Sequence, residues 1–404
     1  MKSKNAVMEN TLTILLSGFA VSVFFTKTGI SIFGLAGILF ILIWKYVIKY
    51  EQTNVIPRPV FWLTILFFLD LVVSAALSEN TRWAFSELGK YRHVLFGGLI
   101  FIAPLSNENR EKVIMVFFIS AALDACAGVL QYFDIVSKSY DRPHGFSSHP
   151  ILFAADLAFV CGSAVMMLSV KNSFVTTIRD KYLLVFVALL TLIGILLSQS
   201  RGVWVAIITA CTIVLFLYSR RKAIVFLILF VAIAGIFFSF SDVLRHRVAS
   251  IVTSIYSENE QGSTGGRLEI WRGSLLLFKE KPILGVGYGD FRQNIKRLVD
   301  EKKIKEVSYI VHAHNIFFQA LATRGIIGFI ILLSLFSALI VWGKKEMRDH
   351  GGIGGYIIIL STMLTIIGGL TEDTIGIHRF LAAYCFTMGL VGPYGENGVE
   401  VNRE

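Results

Sequence analysis

Apolar runs of membrane-spanning length dominate the chain, separated by short polar stretches. Twelve stand out, near residues 11–25, 30–48, 60–77, 90–105, 112–133, 150–170, 182–199, 202–218, 223–240, 315–343, 353–371 and 376–392. A helix crossing ~30 Å of hydrocarbon needs roughly 20 apolar residues. The pattern therefore predicts an all-α polytopic membrane protein with about 12 transmembrane helices. The first run is expected to be a span and not a cleaved leader, because it has no small-residue cleavage site and a second span follows at once.

The polar stretches between the runs are short, with two exceptions. Ser241 to Val311 is soluble in composition, with twelve basic and nine acidic residues, and Phe133–His149 reads FDIVSKSYDRPHGFSSH. The chain thus divides into helices 1–9 (residues 1–240), a large loop containing amphipathic helices (241–311), and helices 10–12 with a cytoplasmic tail (312–404). Basic residues fall in alternate connections: Lys2 and Lys4; Lys45, Lys49 and Arg58; Arg110 and Lys112; Lys171, Arg179 and Lys181; Arg220, Arg221 and Lys222; Lys344, Lys345 and Arg348. That is the positive-inside pattern, and it puts both termini in the cytoplasm and both long loops outside.

Composition agrees with this reading. Hydrophobic residues make up 55% of 404 and charged residues only 16%, with a mean hydropathy of +0.68, which is too apolar for a soluble protein. The net charge of +10 is largely topology, so no nucleic-acid partner is implied. Cys126, Cys161, Cys211 and Cys385 lie singly within spans and offer no disulfide framework or metal spacing.

Within the large loop, RLEIWRGSLLLFKEKP (267–282) places Leu268, Trp271, Leu275 and Phe278 on one helical face. Such a helix either lies along the membrane interface with Arg267 and Arg272 directed at head groups or phosphates, or caps the bundle. The following GVGYGD (285–290) lacks the spacing and the preceding strand of a nucleotide-binding loop and reads as a tight turn. No P-loop, HExxH or DxD occurs, so neither a nucleoside triphosphate nor a nucleotide sugar held by a metal is implied.

What remains is a scatter of polar groups at the outer side. His312 and His314 open the run VHAHNIFFQALATRGIIG. Two residues apart on a helix they would point about 200° away from each other, so no shared metal is expected. Arg201, in the tight turn LLSQSRGVWVA, is either a snorkelling interface residue or a phosphate ligand. Arg142, His144 and His149 are weaker candidates in the other loop. Arg324 is either an intramembrane charge on a continuous helix or an interface anchor on a span that begins only at Gly325. Asp70, Asp124 and Asp156 fall within or near spans, each isolated in sequence.

These elements resemble the O-antigen ligase and polymerase superfamily of polytopic envelope glycosyltransferases. The specific signal is His314-Asn315 followed, after nine residues, by Gly325-x-x-Gly328; the SQSRG turn at 198–202 and the GRLEIW and GVGYGDF segments also resemble family elements. The resemblance covers roughly residues 185–345. It implies an O-antigen ligase that transfers a glycan from an undecaprenyl-diphosphate carrier to a sugar of lipid A–core, at the periplasmic face of the inner membrane. It implies no cofactor, metal or nucleotide. By match to the motif, His314 is the general base, for which neutral imidazole is suited, and Arg201 and Arg267, then Arg272, bind the diphosphate leaving group. Arg142 is a helper, and Glu372 or Asp373 in TED (371–373) could orient the base. His312 receives no chemistry, and its replacement is expected to be much milder than that of His314.

On a straight helix, Gly325 and Gly328 would return to within about 40° of the direction of His314, making a smooth stripe below it for helix packing. An O-antigen polymerase, or a relative acting on a protein or cell-wall acceptor, shares the architecture. A flippase or secondary transporter would use the intramembrane acids but leaves the external loop and its arginines without a role.

Overall fold

The computed structural model describes residues 2–48, 55–171, 177–240, 263–307, 311–349 and 351–392. Among these residues all regular structure is helical. The helices are α1 (Lys2–Phe25), α2 (Lys27–Ile43), α3 (Arg58–Ala76), α4 (Thr81–Leu88), α5 (Arg92–Ile102), α6 (Asn107–Tyr132), α7 (Pro150–Ser169), α8 (Ile178–Leu197), α9 (Arg201–Tyr218), α10 (Arg220–Phe240), α11 (Ser263–Glu280), α12 (Phe291–Asp300), α13 (Ile316–Asp349), α14 (Ile353–Gly368) and α15 (His378–Val391). Residues 241–262 of the large loop and the tail beyond 392 lie outside the described residues.

Each of the twelve apolar runs carries a helix. Among the described residues eight helices are long and apolar enough to cross a membrane: α1, α2, α3, α6, α7, α8, α9 and α13. α5, α14 and α15 have only 11, 16 and 14 residues, fewer than a full crossing needs. Nearly every side chain of α14 and α15 is inside, and the loop that joins them, 369–377, is buried with them at Glu372, Asp373 and Thr374. Two short helices thereby bring a polar loop into the interior.

The large loop folds as a cap with its own small core, built from Ile270, Leu277, Phe291, Ile295, Leu298, Ile304 and Ala313. α11 caps the bundle through Ile270, Ser274 and Leu277, one turn apart on one face. The expected stripe is displaced: Leu268 and Leu275 are exposed, and Arg272 lies between them on the same outward face. The helix is apolar on two sides, and sequence periodicity alone could not say which side the cap would cover.

α13 is broken at Gly325, which adopts φ 63°. The straight helix expected below His314 is therefore not formed. The break frees backbone groups that must find partners away from water, and the GVGYGD segment supplies them. The Val286 and Gly287 N–H groups donate to the Ala322 and Thr323 carbonyls at 2.9 and 3.1 Å, while the Ile326 N–H donates to the Pro282 carbonyl at 2.8 Å. The two chains cross so closely that a Cβ on Gly285 would collide with the Thr323 backbone and one on Gly325 with the Ile283 carbonyl. The same segment continues onto the end of α3 and the start of α4, where the Asp290 carboxylate accepts the Glu79 and Asn80 N–H groups at 2.6 and 3.2 Å.

The charges that looked isolated in sequence are paired. Arg324 is buried at the break, where it donates to Asp70 at 2.8 Å and lies over the Phe67 ring. Arg379, at the start of α15, pairs with both Asp124 of α6 and Asp156 of α7. Asp124 also accepts the Phe146 N–H at 2.7 Å and so ties the 133–149 loop to the bundle.

Candidate functional site

The buried 369–377 loop meets the chain ahead of α13 at the end of the bundle where the long loops gather. Asn315 fixes that meeting. Its side-chain oxygen caps α13 by accepting the Phe317 and Phe318 N–H groups at 2.9 and 3.1 Å, and its amide donates to the Leu370 carbonyl at 3.0 Å. The Ile316 N–H donates to Gly369 at 2.8 Å. On the other side Trp271 donates to the Ala313 carbonyl at 2.9 Å and stacks on Phe318. Held from both sides, His314 adopts φ 49°, a left-handed conformation that side chains rarely take and that marks a constrained position.

His314 Nδ1 lies 3.0 Å from one oxygen of Glu372 and 3.3 Å from the other. His312 Nε2 lies 3.3 Å from the same carboxylate, and the Asp373 N–H donates to it at 3.1 Å. The tautomers follow from these contacts. The His314 backbone N–H donates to His312 Nδ1 at 3.2 Å, so His312 carries its proton on Nε2, which stands beside Glu372 at 3.3 Å. Glu372 accepts from His314 Nδ1–H, which leaves His314 Nε2 with its lone pair. Burial opposes charge on Glu372, but the hydrogen bond from His314 and the nearness of His312 outweigh it and bring the carboxyl down to about 2. Burial pushes His312 down, partly countered by Asp373 and Glu372. An ionised carboxylate thus orients two imidazoles.

This group opens on a cavity of about 960 Å³. Four separate segments bring cations and imidazoles to its wall: Arg142 and His149 from the 133–149 loop, Arg201 from the first position of α9, Arg267 from α11, and His314. Arg267 reaches Glu372 at 3.9 Å, the outer limit of an ion pair. His149 caps α7 by accepting the Ile151 N–H on Nδ1 at 3.2 Å, and burial, then Arg142, push it below its ordinary value. The turn carrying Arg201 packs so tightly on the 369–372 loop that a Cβ on Gly202 would strike Thr371. Gln199, in that turn, also lines the cavity and also has a left-handed backbone, φ 56°.

Arg142, Arg201, Arg267 and His314 therefore share one cavity, and Arg272 does not. Its side chain is 61% exposed and turns away beside Glu269, because it stands five positions, more than one turn, beyond Arg267. Of the two acids in TED, Glu372 meets the imidazoles, while Asp373 does not line the cavity. His144 is spent inside its own loop, on Ser139 and Ser147. His312, given no chemistry in the sequence reading, is part of the carboxylate group. Its signal was in the sequence, but residues 311–314 are non-helical and the helical angle used against the pair does not apply. Gln199, Glu306 and Thr371 also line the cavity; Gln199 and Thr371 lie in the SQSRG and TED segments, but the sequence reading gives neither a role.

One nitrogen from each of His312 and His314 and one oxygen of Glu372 lie within 4.8 Å of one another. Two imidazoles and a carboxylate are a set that zinc accepts. With His312 Nδ1 already engaged by backbone, the remaining nitrogens and Glu372 either stay as a hydrogen bond from His314 with His312 beside it or become three ligands to one cation. In the hydrogen-bonded form the site offers an oriented base facing a cavity lined by arginines.

The family model described as O-antigen ligase matches residues 186–333. Over residues 186–333 the chain is similar to that family. The match takes in Arg201, Arg267, His314 and the Gly325 break and ends before Glu372. An uncharacterized protein of Haemophilus influenzae is 24% identical over 93% of this chain and 97% of its own length. The long apolar helices mark a multi-pass membrane protein, and the similarity to the O-antigen ligase family covers 186–333.

Proposed function

We propose that the protein is an O-antigen ligase, moving a glycan from undecaprenyl diphosphate to a sugar hydroxyl of lipid A–core at the periplasmic face of the inner membrane, with both termini cytoplasmic. The observation that carries this reading is His314 with its Nδ1 on Glu372 and its other nitrogen free to face a cavity that Arg142, Arg201 and Arg267 line.

In this mechanism the acceptor hydroxyl donates its proton to His314 Nε2 as its oxygen bonds to the anomeric carbon of the donor sugar. The bond from that carbon to the diphosphate oxygen breaks, and the electron pair leaves with the diphosphate. Glu372 holds the imidazole in the tautomer that can accept the proton and stabilises the cation that forms. Arg201 and Arg267 meet the charge growing on the diphosphate, with Arg142 beside them, in a site where fixed cations are worth more than in water. No step calls for a nucleotide or a metal ion.

The test is deletion of the gene followed by gel analysis of lipopolysaccharide. Loss of all polymer-bearing bands, with long glycan left on the carrier lipid, is the expected result. A single repeat capping lipid A–core would instead identify a polymerase, and unchanged glycan linkage with altered solute flux would identify a transporter.

A further inference from the structure

A second cleft runs down the other side of the segment that carries Glu372. It has a volume of about 300 Å³, lies between α3, α5, α13 and α15, and is apolar throughout, with Phe67, Val94, Gly98, Leu335 and Leu381 among its walls. The two clefts share one partition. Thr374, Ile377 and Phe380 face the arginine-lined cavity, whereas Ile375, Leu381 and Tyr384 face the apolar groove. The arginine-lined cavity has its own apolar descent past Ala155, Ala158, Val203, Ala206 and Leu364. A polyprenyl tail attached to a diphosphate on Arg201 and Arg267 therefore has a path on that side, and the groove is left for another lipid.

Tyr91 lines the end of the groove next to α4, and its hydroxyl meets that of Tyr288 at 3.3 Å. Lys90 stands over both rings, 5.7 and 5.4 Å from their centres. Its side chain is only 11% exposed and is balanced by one half-exposed carboxylate, Glu87, at 3.2 Å. Arg92 follows within a turn.

We propose that the groove holds an acyl chain of the acceptor, a phosphate-bearing acylated glycolipid, with Lys90 at the mouth binding its phosphate. The inference rests on the ligase reading and extends it: donor and acceptor lipids approach the imidazole pair from opposite sides of one partition. Apolar burial holds the chain, and the cation at the mouth selects a lipid carrying phosphate.

The experiment is a binding measurement on the full-length protein in nanodiscs, using lipid A, dephosphorylated lipid A and undecaprenyl diphosphate as probes. Gly98→Leu fills the groove without backbone collision, since a Cβ there meets only the end of Ile56, at 3.5 Å. Lys90→Ala removes the cation. Gly98→Leu is expected to weaken lipid A binding about tenfold, and Lys90→Ala to weaken it by a similar factor only while the phosphates are present. Undecaprenyl diphosphate binding should be unchanged in both. Unchanged lipid A binding in both variants, loss of undecaprenyl diphosphate binding instead, or equal competition by phosphatidylglycerol would overturn the proposal. Binding is read without transfer, so a protein that holds lipid A in the groove yet ligates nothing would refute the ligase reading and leave the groove standing.

Discussion

His314 and Glu372 stand 58 positions apart in the chain and meet through Nδ1 and Oε1 at 3.0 Å. The pair is made by a helix that begins late and a helix that ends early: Asn315 caps α13 just beyond the histidine, and α14 stops after 16 residues so that the loop carrying the carboxylate is buried. Neither half of the pair has a chemical reason to sit inside a membrane protein without the other.

His314→Ala should abolish glycan transfer while leaving the protein in the membrane, and Glu372→Gln should lower transfer by about 10²- to 10⁴-fold, the usual worth of general-base catalysis. Because the two act as a unit, the double variant should be no slower than His314→Ala alone. Transfer from labelled carrier-linked glycan measures all three. Wild-type rates for His314→Ala would remove it as the base.

His312 becomes a positioning residue, so the mild effect expected from sequence is revised to an intermediate one, roughly tenfold. Its two contacts can be separated. His312→Asn keeps an acceptor near Nδ1 for the His314 N–H but loses the imidazole N–H that stands beside Glu372; His312→Gln keeps an N–H near Nε2 and loses the acceptor. If the role is positioning, both should lower kcat with little change in KM for either substrate. A variant that raises donor KM alone would mean that His312 touches the donor.

Much of this was legible in the sequence. The twelve apolar runs marked every helix of the bundle, and the His-Asn and SQSRG segments pointed to one end of it. What was not legible was the third dimension of short elements. Arg267 and Arg272 differ by five positions on one helix, and only the packing of Ile270, Ser274 and Leu277 into the cap decides which of them faces the cavity. Gly325 read as a packing glycine because helical periodicity carries through it; its break depends on GVGYGD, forty residues earlier, supplying hydrogen bonds. Asp70 and Arg324 could not be paired in sequence because 254 positions separate them.

The arginines should separate by location. Arg201→Ala and Arg267→Ala should weaken use of the diphosphate donor, raising its KM by about tenfold or more, whereas Arg272→Ala should change it less than about twofold, as for an exposed charge. Donor titrations at fixed acceptor concentration read this directly. Equal losses at all three positions would mean that the cation requirement is diffuse and not set by the cavity.

The break in α13 should be intolerant of a methyl group. Gly325→Ala places a Cβ against the Ile283 carbonyl at positive φ, so a loss of stability of about 1–3 kcal/mol is expected. Asp70→Ala leaves a buried Arg324 without its carboxylate and should cost about 3–5 kcal/mol. Thermal unfolding in detergent checks both; an unchanged melting temperature for Gly325→Ala would mean that the crossing of 282–287 over 322–327 is not tight.

Metal and pH separate the two uses of the carboxylate group. Chelators should leave transfer unchanged, while added zinc should inhibit by drawing His312, His314 and Glu372 onto one ion, and Glu372→Gln should lessen that inhibition in binding measurements. Loss of activity on chelation, restored by zinc, would reverse the assignment. Acidification gives an independent reading. Glu372 is held near 2 in the folded protein against an ordinary 4.5, so its ionised form adds stability that is fully present above about pH 4.5 and is lost as the pH falls toward 2. The stability gap between the wild type and Glu372→Gln should therefore be constant above about pH 4.5 and narrow below it. A gap that widens on acidification would show that Glu372 is protonated in the folded site, and with it the orientation of His314 would fall.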